Sequence, residues 1–361
     1  MIKKIVIVLG ILVGIVIILA AIAINEFKPD ENLILNFIKD NPDRAAIALI
    51  RNDSVIAKKN PDKVMPLAST VKIILAIEYA IQSSKKEINP DEKVPINELS
   101  KFYIPNTDGG AHPSWLKSVK DKTTNNSISI REIAKGMIKY SSNANTEWLG
   151  KKLGLENINA RIDSLGIKQH AKIYNIASSL FVGKERFPKI KGKKLENKLR
   201  ALSIEEYIAV TNKVHKKLLT DSVYKKDIGD FGLNMQRIWS DNLPGSTVNE
   251  YVEIMRKINA KTYFNLETHK YLDEVMEMAI VNPATKQWLE YSGMKRGSTA
   301  FVFTNALYAT DKKGNKTELA YFFNNLEHHE KKMLMASSNE FKLKILTNKE
   351  FRNKLASKLN E

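Results

Sequence analysis

Pro66-Leu67-Ala68-Ser69-Thr70-Val71-Lys72-Ile73-Ile74-Leu75-Ala76-Ile77-Glu78-Tyr79-Ala80-Ile81 is the stretch that decides how the rest of the chain is read. From Val71 to Ile81 it is apolar on nearly every side, apart from Glu78, and a helix of that character is a buried one. Ser69 stands at its mouth and Lys72 one turn in, and residues three apart on a helix are neighbours. In a partly desolvated site Lys72 loses hydration, which favours the neutral amine. A neutral amine beside a hydroxyl can take its proton, and the positive end of the helix dipole at Ser69 favours developing negative charge. This is the layout of an activated serine nucleophile. The same spacing arises by chance, and a serine that opens a helix commonly serves only as its N-cap, so the chain on either side must decide.

On the N-terminal side, Met1-Ile2-Lys3-Lys4 precedes an uninterrupted apolar run from Ile5 to Ile24. Twenty such residues rise about 30 Å as a helix, the thickness of a bilayer core, and Lys3 and Lys4 place the short end in the cytoplasm. Residues 1–25 therefore read as a transmembrane anchor. A cleaved signal sequence is the competing reading, since Ala21-Ile22-Ala23 fits a small-x-small cleavage site. The run is longer than the roughly 7–15 residues of a signal core, which favours the anchor. Gly10 and Gly14 sit at the spacing of a helix-dimerising face, or are simply glycines of a membrane helix. Either way the body, residues 26–361, is expected outside the cytoplasm: membrane-anchored in the periplasm or at the cell surface, or secreted if the segment is cleaved. The 361-residue chain carries 57 lysines and arginines against 40 acidic residues, a net charge of +17. That excess points to an anionic neighbour. With the body across the membrane, an anionic envelope polymer or lipid surface fits and nucleic acid does not. There is no cysteine, which excludes disulfides, thiolate metal sites, a cysteine nucleophile and a lipidated cysteine. Hydrophobic residues make up 43% of the chain, enough for a real core.

Beyond a short polar stem, Leu33 to Ile38 opens as helix. Arg44 to Ile50 reads as a strand, Asn52-Asp53 as a turn and Ser54 to Lys58 as the returning strand. Lys85 to Thr124 is rich in breakers and reads as loop, with Tyr103 and Trp115 either bordering a cleft or tacking the loop down. Ile128 to Leu149 is helical in pattern, interrupted by the polar cluster Tyr140-Ser141-Ser142-Asn143-Ala144-Asn145. Gly154 to Gly166, Ser203 to Leu219, Val248 to Ile258 and Leu266 to Val281 read as helices. The basic stretch Lys184 to Arg200 and the segment Trp239 to Gly245 read as loops. Gly293 to Thr299 leads into an expected strand over Ala300 to Thr310, with a partner over Glu318 to Asn324 and terminal helices over Asn339–Leu346 and Lys349–Leu359. Strands thus lie at both chain ends with a helical stretch between. The expected fold is α+β, a three-layer α/β/α arrangement. Its antiparallel sheet is built from both ends (a sheet lobe of about 30–68 and 290–361), beside an all-helical lobe of about 69–289, and a site is expected in the cleft between them.

Three elements stand in order: Ser69-x-x-Lys72, Ser141-x-Asn143 and Lys295-x-Gly297-Ser298. Together, in these local contexts, they resemble the penicillin-recognising serine hydrolases, the class A β-lactamases and their transpeptidase relatives. The resemblance covers most of residues 30–350. It implies Ser69 as the acylated nucleophile and Lys72 as its base or base partner. Ser141 would relay a proton to the leaving nitrogen, and Asn143 would bind the substrate amide and steady Lys72. Lys295 would attract the substrate carboxylate. Gly297, Ser298 and Thr299 would lie along the substrate, with the backbone N–H groups of Ser69 and Ser298 forming an oxyanion hole. No cofactor is implied. The six histidines (His112, His170, His215, His269, His328 and His329) show no metal-ligand spacing, so no metal is expected.

The departures bear on function. The middle motif is Ser-Ser-Asn where lactamases usually have Ser-Asp-Asn, while the literal Ser240-Asp241-Asn242 comes too late in the chain. Arg296 replaces the usual hydroxyl residue beside Lys295. No Glu-x-x-Leu-Asn segment is present to activate a deacylating water, and Glu185, Glu196 and Asp241 lack the right neighbours. Three readings remain open: a β-lactamase-type serine hydrolase acting on a β-lactam or related amide; a D-alanyl-D-alanine peptidase, penicillin-binding protein or related amidase or esterase with the same nucleophile; and a receptor that is acylated by β-lactam without turnover. A peptidoglycan-type or small-molecule substrate fits the first two.

Overall fold

The computed structural model describes residues 29–277 and 283–360. The Ile5–Ile24 run, with the expected anchor or signal, lies outside the described residues, as does the end of the helix expected to reach Val281. Among the described residues no helix is long and apolar enough to cross a membrane.

Strands β1 (Ala45–Arg51) and β2 (Ser54–Lys59) form a hairpin, succeeded much later by β3 (Leu289–Ser298), β4 (Phe303–Asp311) and β5 (Lys316–Phe323). The turn Asn52-Asp53 holds both residues at positive φ, 49° and 61°, the geometry that matches hairpin twist and that Asn and Asp tolerate. The antiparallel order is β2-β1-β5-β4-β3. The two chain ends meet at its centre, where β1 pairs with β5 from Ala45↔Phe323 to Arg51↔Thr317.

Both faces of this sheet are covered, and the period-two alternation of side chains divides the core. Ala46, Ala48, Ala306, Tyr308, Ala320 and Phe322 face the large helical region. Ala45, Ile47, Leu49, Leu307, Leu319, Tyr321 and Phe323 face the opposite way, toward residues of the first and last helices. The helices that matter for the site and the core are α1 (Glu31–Asp40), α2 (Lys72–Ser84), α3 (Ile130–Lys139), α4 (Asn143–Leu153), α5 (Ile204–Thr220), α6 (Val248–Asn259), α7 (Leu266–Met276), α8 (His328–Thr347) and α9 (Lys349–Leu359). Helices α1, α8 and α9 cover one face, and α6 covers the other with α2 and α7 behind it. The result is a mixed α+β, three-layer architecture.

Helix α2 is buried from Lys72 through Ser83. Its isoleucines and leucine each contribute about 1.5–3 kcal/mol by leaving water. The carboxylate of Glu78, the exception in that run, is met by Arg161 Nε and Gln82 Nε2, each at 2.8 Å, so it does not remain as an uncompensated buried charge.

Several local expectations are corrected. The Lys85–Thr124 region contains helix, including Ala111–Ser118. Trp115 lies in that helix and is buried, its indole N–H donating to the Glu132 carbonyl; of the two roles expected for it, it takes that of tacking the segment down. The basic stretch is helical at 182–186 and 192–200, because Val182, Leu195 and Leu199 bury into a small satellite core. Trp239, Ser240 and Asp241 end a helix, Leu233–Asp241. The third motif lies on β3 itself, and the turn falls at 299–302, where the Thr299 N–H donates to the Val302 carbonyl.

The sheet also buries a carboxyl. Glu318 on β5 faces α6, where Asn259 donates to it at 2.5 Å, and burial, outweighing that bond, pushes its pKa up to about 7. A raised folded pKa contributes stability below the unfolded value and loses it as pH climbs through the folded one. We therefore expect Glu318→Gln to unfold much like the wild type near pH 4 in urea titrations, and to gain on the order of 2–4 kcal/mol over it by pH 8.

Candidate active site

The nucleophile segment takes its shape just beyond the short strand Met65–Pro66. Ala68 to Val71 form a 3-10 turn and α2 begins at Lys72. Ala68 sits at φ +46°, a left-handed conformation costly for a residue with a Cβ and of the kind held in place at functional sites. The surroundings impose it. Thr304 on β4 donates to the Leu67 carbonyl at 2.8 Å, and its hydroxyl lies 2.7 Å from that of Thr70. Gly297 on β3 presses against the same turn: a Cβ there would meet the Leu67 carbonyl oxygen, the Ser69 amide nitrogen and the Thr304 hydroxyl well inside van der Waals contact.

Ser69 is partly exposed and lines a cleft of about 870 Å³. Lys72, Ser141, Asn143, Lys295, Gly297, Ser298 and Thr299 line the same cleft, so all eight site residues expected from the sequence converge on one cavity. Ser141 lies in the middle of the break between α3 and α4, at φ +68°. Ser142 caps α4 by accepting from the Asn145 N–H at 3.2 Å. This cap is why the polar cluster breaks the helix and turns Ser141 toward Lys72.

Two amines meet at one hydroxyl. Lys72 Nζ donates to the Ser141 carbonyl at 2.7 Å, to Asn143 Oδ1 at 2.9 Å and to Ser141 Oγ at 3.3 Å. Lys295 Nζ reaches Ser141 Oγ at 2.9 Å and the Arg296 carbonyl at 3.1 Å. Lys72 is not hydrogen-bonded to Ser69. Both lysines are almost fully buried. Burial lowers the Lys72 pKa to about 7 against the opposing pull of Asp108 and Glu147. Burial, then the charges of Lys72 and Arg296, lowers Lys295 well below the ordinary lysine range. Desolvation thus leaves an amine able to accept a proton near neutrality.

Thr299 is occupied in structure: its hydroxyl accepts from the Phe301 and Val302 N–H groups and from Ser240 Oγ. The literal Ser240-Asp241-Asn242 therefore ties the end of β3 in place through Ser240, and Asp241 lines a different cavity. The acids considered from sequence are engaged elsewhere. Burial would raise Glu185, but hydrogen bonds from Lys217, Lys213 and Tyr224 outweigh it and hold the carboxyl at about 2. Glu196 pairs with Lys193 and Arg200. The carboxylates that do line the cleft are Asp108 and Glu147, which sequence reasoning missed. The available signal was Glu147 four residues after Asn143 on one helical face. Asp108 accepts from the Ala111 and His112 N–H groups. Glu147 Oε1 accepts from the Ala177 N–H at 2.7 Å, and Oε2 lies 3.1 Å from both Ser178 Oγ and His215 Nδ1. Among the described residues no cluster of His, Cys, Asp or Glu is placed to hold a metal ion.

The family model of the Beta-lactamase enzyme family matches residues 31–279, and the chain belongs to that family. No curated protein sequence matches it. Similar solved structures include a class A β-lactamase from Bacteroides cellulosilyticus DSM 14838 (16% identity over 87% of this chain and 99% of that one, TM-score 0.50). Another is a β-lactamase from Sphaerobacter thermophilus DSM 20745 (14%, 89% and 99%, TM-score 0.53). A third is a point mutant of PBP-A as its acyl-enzyme complex with penicillin G (14%, 88% and 97%, TM-score 0.51). At such identities the likeness concerns the fold.

The tight seating of β3 on the nucleophile turn gives a direct test. Gly297→Ala must push the strand off Ser69 or distort the turn, and overpacking of this kind costs about 1–3 kcal/mol. Urea unfolding of the variant should show that loss.

Proposed function

We propose that the chain is an extracytoplasmic serine hydrolase of β-lactamase type that transfers the acyl group of an amide substrate to Ser69. The observation that carries this reading is the meeting of the Lys72 and Lys295 amines on Ser141 Oγ beside Ser69. Neutral Lys72 takes the proton from Ser69 Oγ as that oxygen attacks the substrate carbonyl. The proton passes through Ser141 Oγ to the leaving nitrogen, so the C–N bond breaks as N–H forms. Asn143 holds Lys72 and the substrate amide, and Lys295 draws in the substrate carboxylate. The N–H groups of Ser69 and Ser298 meet the developing oxyanion, the kind of preorganised donor pair that lowers such barriers most. That Lys72 and Ser69 are not bonded to each other is compatible with this role, since catalytic hydrogen bonds commonly tighten only when substrate is bound. The apolar run 5–24 would tether the protein to the membrane, or direct its secretion if cleaved. The positive charge would hold it near anionic envelope polymers.

One observation favours a slow second step. Asp108 and Glu147, the carboxylates that line the cleft, accept from donors on the protein, and neither belongs to a Glu-x-x-Leu-Asn segment of the kind that activates a deacylating water. A β-lactam would then acylate Ser69 and remain. This supports the peptidase or penicillin-binding reading over rapid β-lactam hydrolysis.

Three outcomes are expected. Fluorescent penicillin should label the body of the wild type, residues 26–361, and not its Ser69→Ala variant; equal labelling of both would reject Ser69 as the nucleophile. A chromogenic cephalosporin should give about one equivalent of product in a burst and little steady turnover, as expected of a persistent acyl-enzyme. The acylation rate should rise about tenfold per pH unit below pH 7 and level off above it, because only the neutral form of Lys72 acts as the base. A rate flat from about pH 5.5 to 8.5 would remove Lys72 from that role.

A further inference from the structure

Ser142 stands where the lactamases usually have an aspartate, and the mechanism above uses neither it nor the histidine beneath it. Of the turn residues Tyr140, Ser141 and Ser142, Ser142 alone is buried, so its side chain is what pins the turn to the body. His112, on the helix Ala111–Ser118, is buried with Nδ1 2.9 Å from Ser142 Oγ. The direction of that bond follows from its neighbours. The Asn145 side-chain amide donates to the Ile133 carbonyl at 3.1 Å, which leaves Oδ1 facing Ser142. Ser142 has one hydroxyl proton, and it goes to Asn145 Oδ1 at 3.0 Å. Ser142 Oγ is left to accept, from the Asn145 backbone N–H at 3.2 Å and from His112. His112 therefore carries its proton on Nδ1. Its Nε2 is the bare nitrogen, buried and without a partner among the described residues. A proton there would make a buried donor with no acceptor. Burial lowers the His112 pKa against the pull of Asp108 and the Asn145 amide, and Lys225 lowers it further. The ring is also held in place: its centroid lies 4.9 Å from that of Tyr103 and 5.4 Å from that of Trp115, and the His112 backbone N–H donates to Asp108 Oδ2 at 3.0 Å.

The turn matters because Ser141 supplies two of the three oxygens that Lys72 meets and the hydroxyl that Lys295 shares. Ser142 is the next residue along. A carboxylate at that position would sit one residue from the hydroxyl both amines share, and a nearby negative charge favours ammonium over amine. A serine held by a neutral imidazole fixes the same turn without that charge. Resting on the acyl-transfer reading, we propose that His112, as the neutral Nδ1–H tautomer, is a positioning residue for acyl transfer: it holds Ser142 Oγ and thereby keeps Ser141 between Lys72 and Lys295.

The test follows acylation of the full chain by benzylpenicillin across the pH range, using intact-protein mass spectrometry, in the wild type, His112→Phe and His112→Asn. Phenylalanine keeps a ring against Tyr103 and Trp115 and removes the donor; asparagine returns an N–H near the Nδ1 position. His112→Phe should acylate about 10- to 100-fold more slowly at pH 7, the range expected for a reacting group displaced by about 1 Å. The midpoint of its pH–rate profile should also move upward, because a loosened turn lets water reach Lys72 and its pKa recovers toward the ordinary lysine value. His112→Asn should restore most of the rate and the midpoint. A purely structural role would lower the unfolding midpoint and leave the pH profile where it was. Wild-type rate and midpoint in His112→Phe, or equal impairment of both variants, would overturn the proposal. Nitrogen NMR shifts of the wild type decide the tautomer without any variant: His112 should be protonated on Nδ1 and bare on Nε2 at neutral pH, and an Nε2–H tautomer or an imidazolium there would overturn the role. A wild type that is not acylated at all would overturn the acyl-transfer reading and this role with it.

Discussion

The structure depends on the removal of two lysine amines from water around a single hydroxyl. A buried ammonium is strongly disfavoured unless it is paired with a charge, and Lys72 and Lys295 receive only neutral oxygens as direct partners. The fold accepts that cost because everything around the amines is held elsewhere. Helix α2 is anchored through its apolar sides, β3 through its ladder to β4, and Ser141 through the capped start of α4. Strain at Ala68 and Ser141 accumulates at the same place, as is usual where packing over-determines a reactive geometry.

The topology supplies the rigidity. Joining the chain ends at the centre of one sheet makes β3 an outer strand with one edge free to face the cleft. Gly297 then lets that edge approach the turn carrying Ser69 as closely as backbone permits. The helical region contributes the opposing wall, with Asn143 and Glu147 presented by successive turns of one helix. Glu147 does a separate task there: it binds the Ala177 N–H and Ser178 while facing His215, fastening the 176–181 segment to α4.

The three-layer plan, the building of the sheet from both chain ends and the eight residues lining the cleft were legible in the sequence because they rest on local signals. These are an all-apolar helix after Ser69, the Asn52-Asp53 turn, and short polar motifs interrupting periodic runs. What was not legible depends on partners far apart in the chain. The helices at 182–186 and 192–200 look like a solvated basic loop until Leu195 and Leu199 find their satellite core. Ser240 looks like part of a displaced motif until Thr299 is seen beside it. Placing the third motif before its strand was an error of a few residues; Gly293 and Gly297 lie within the strand, where they make room for Tyr308 and for the nucleophile turn.

The most direct measurement is a crystal structure of residues 26–361 after soaking with a penicillin. We predict continuous electron density from Ser69 Oγ to an opened lactam carbonyl, its oxygen lying between the N–H groups of Ser69 and Ser298, with the lactam-derived nitrogen next to Ser141 Oγ. An intact lactam resting in the cleft, or an adduct on any other side chain, would contradict it.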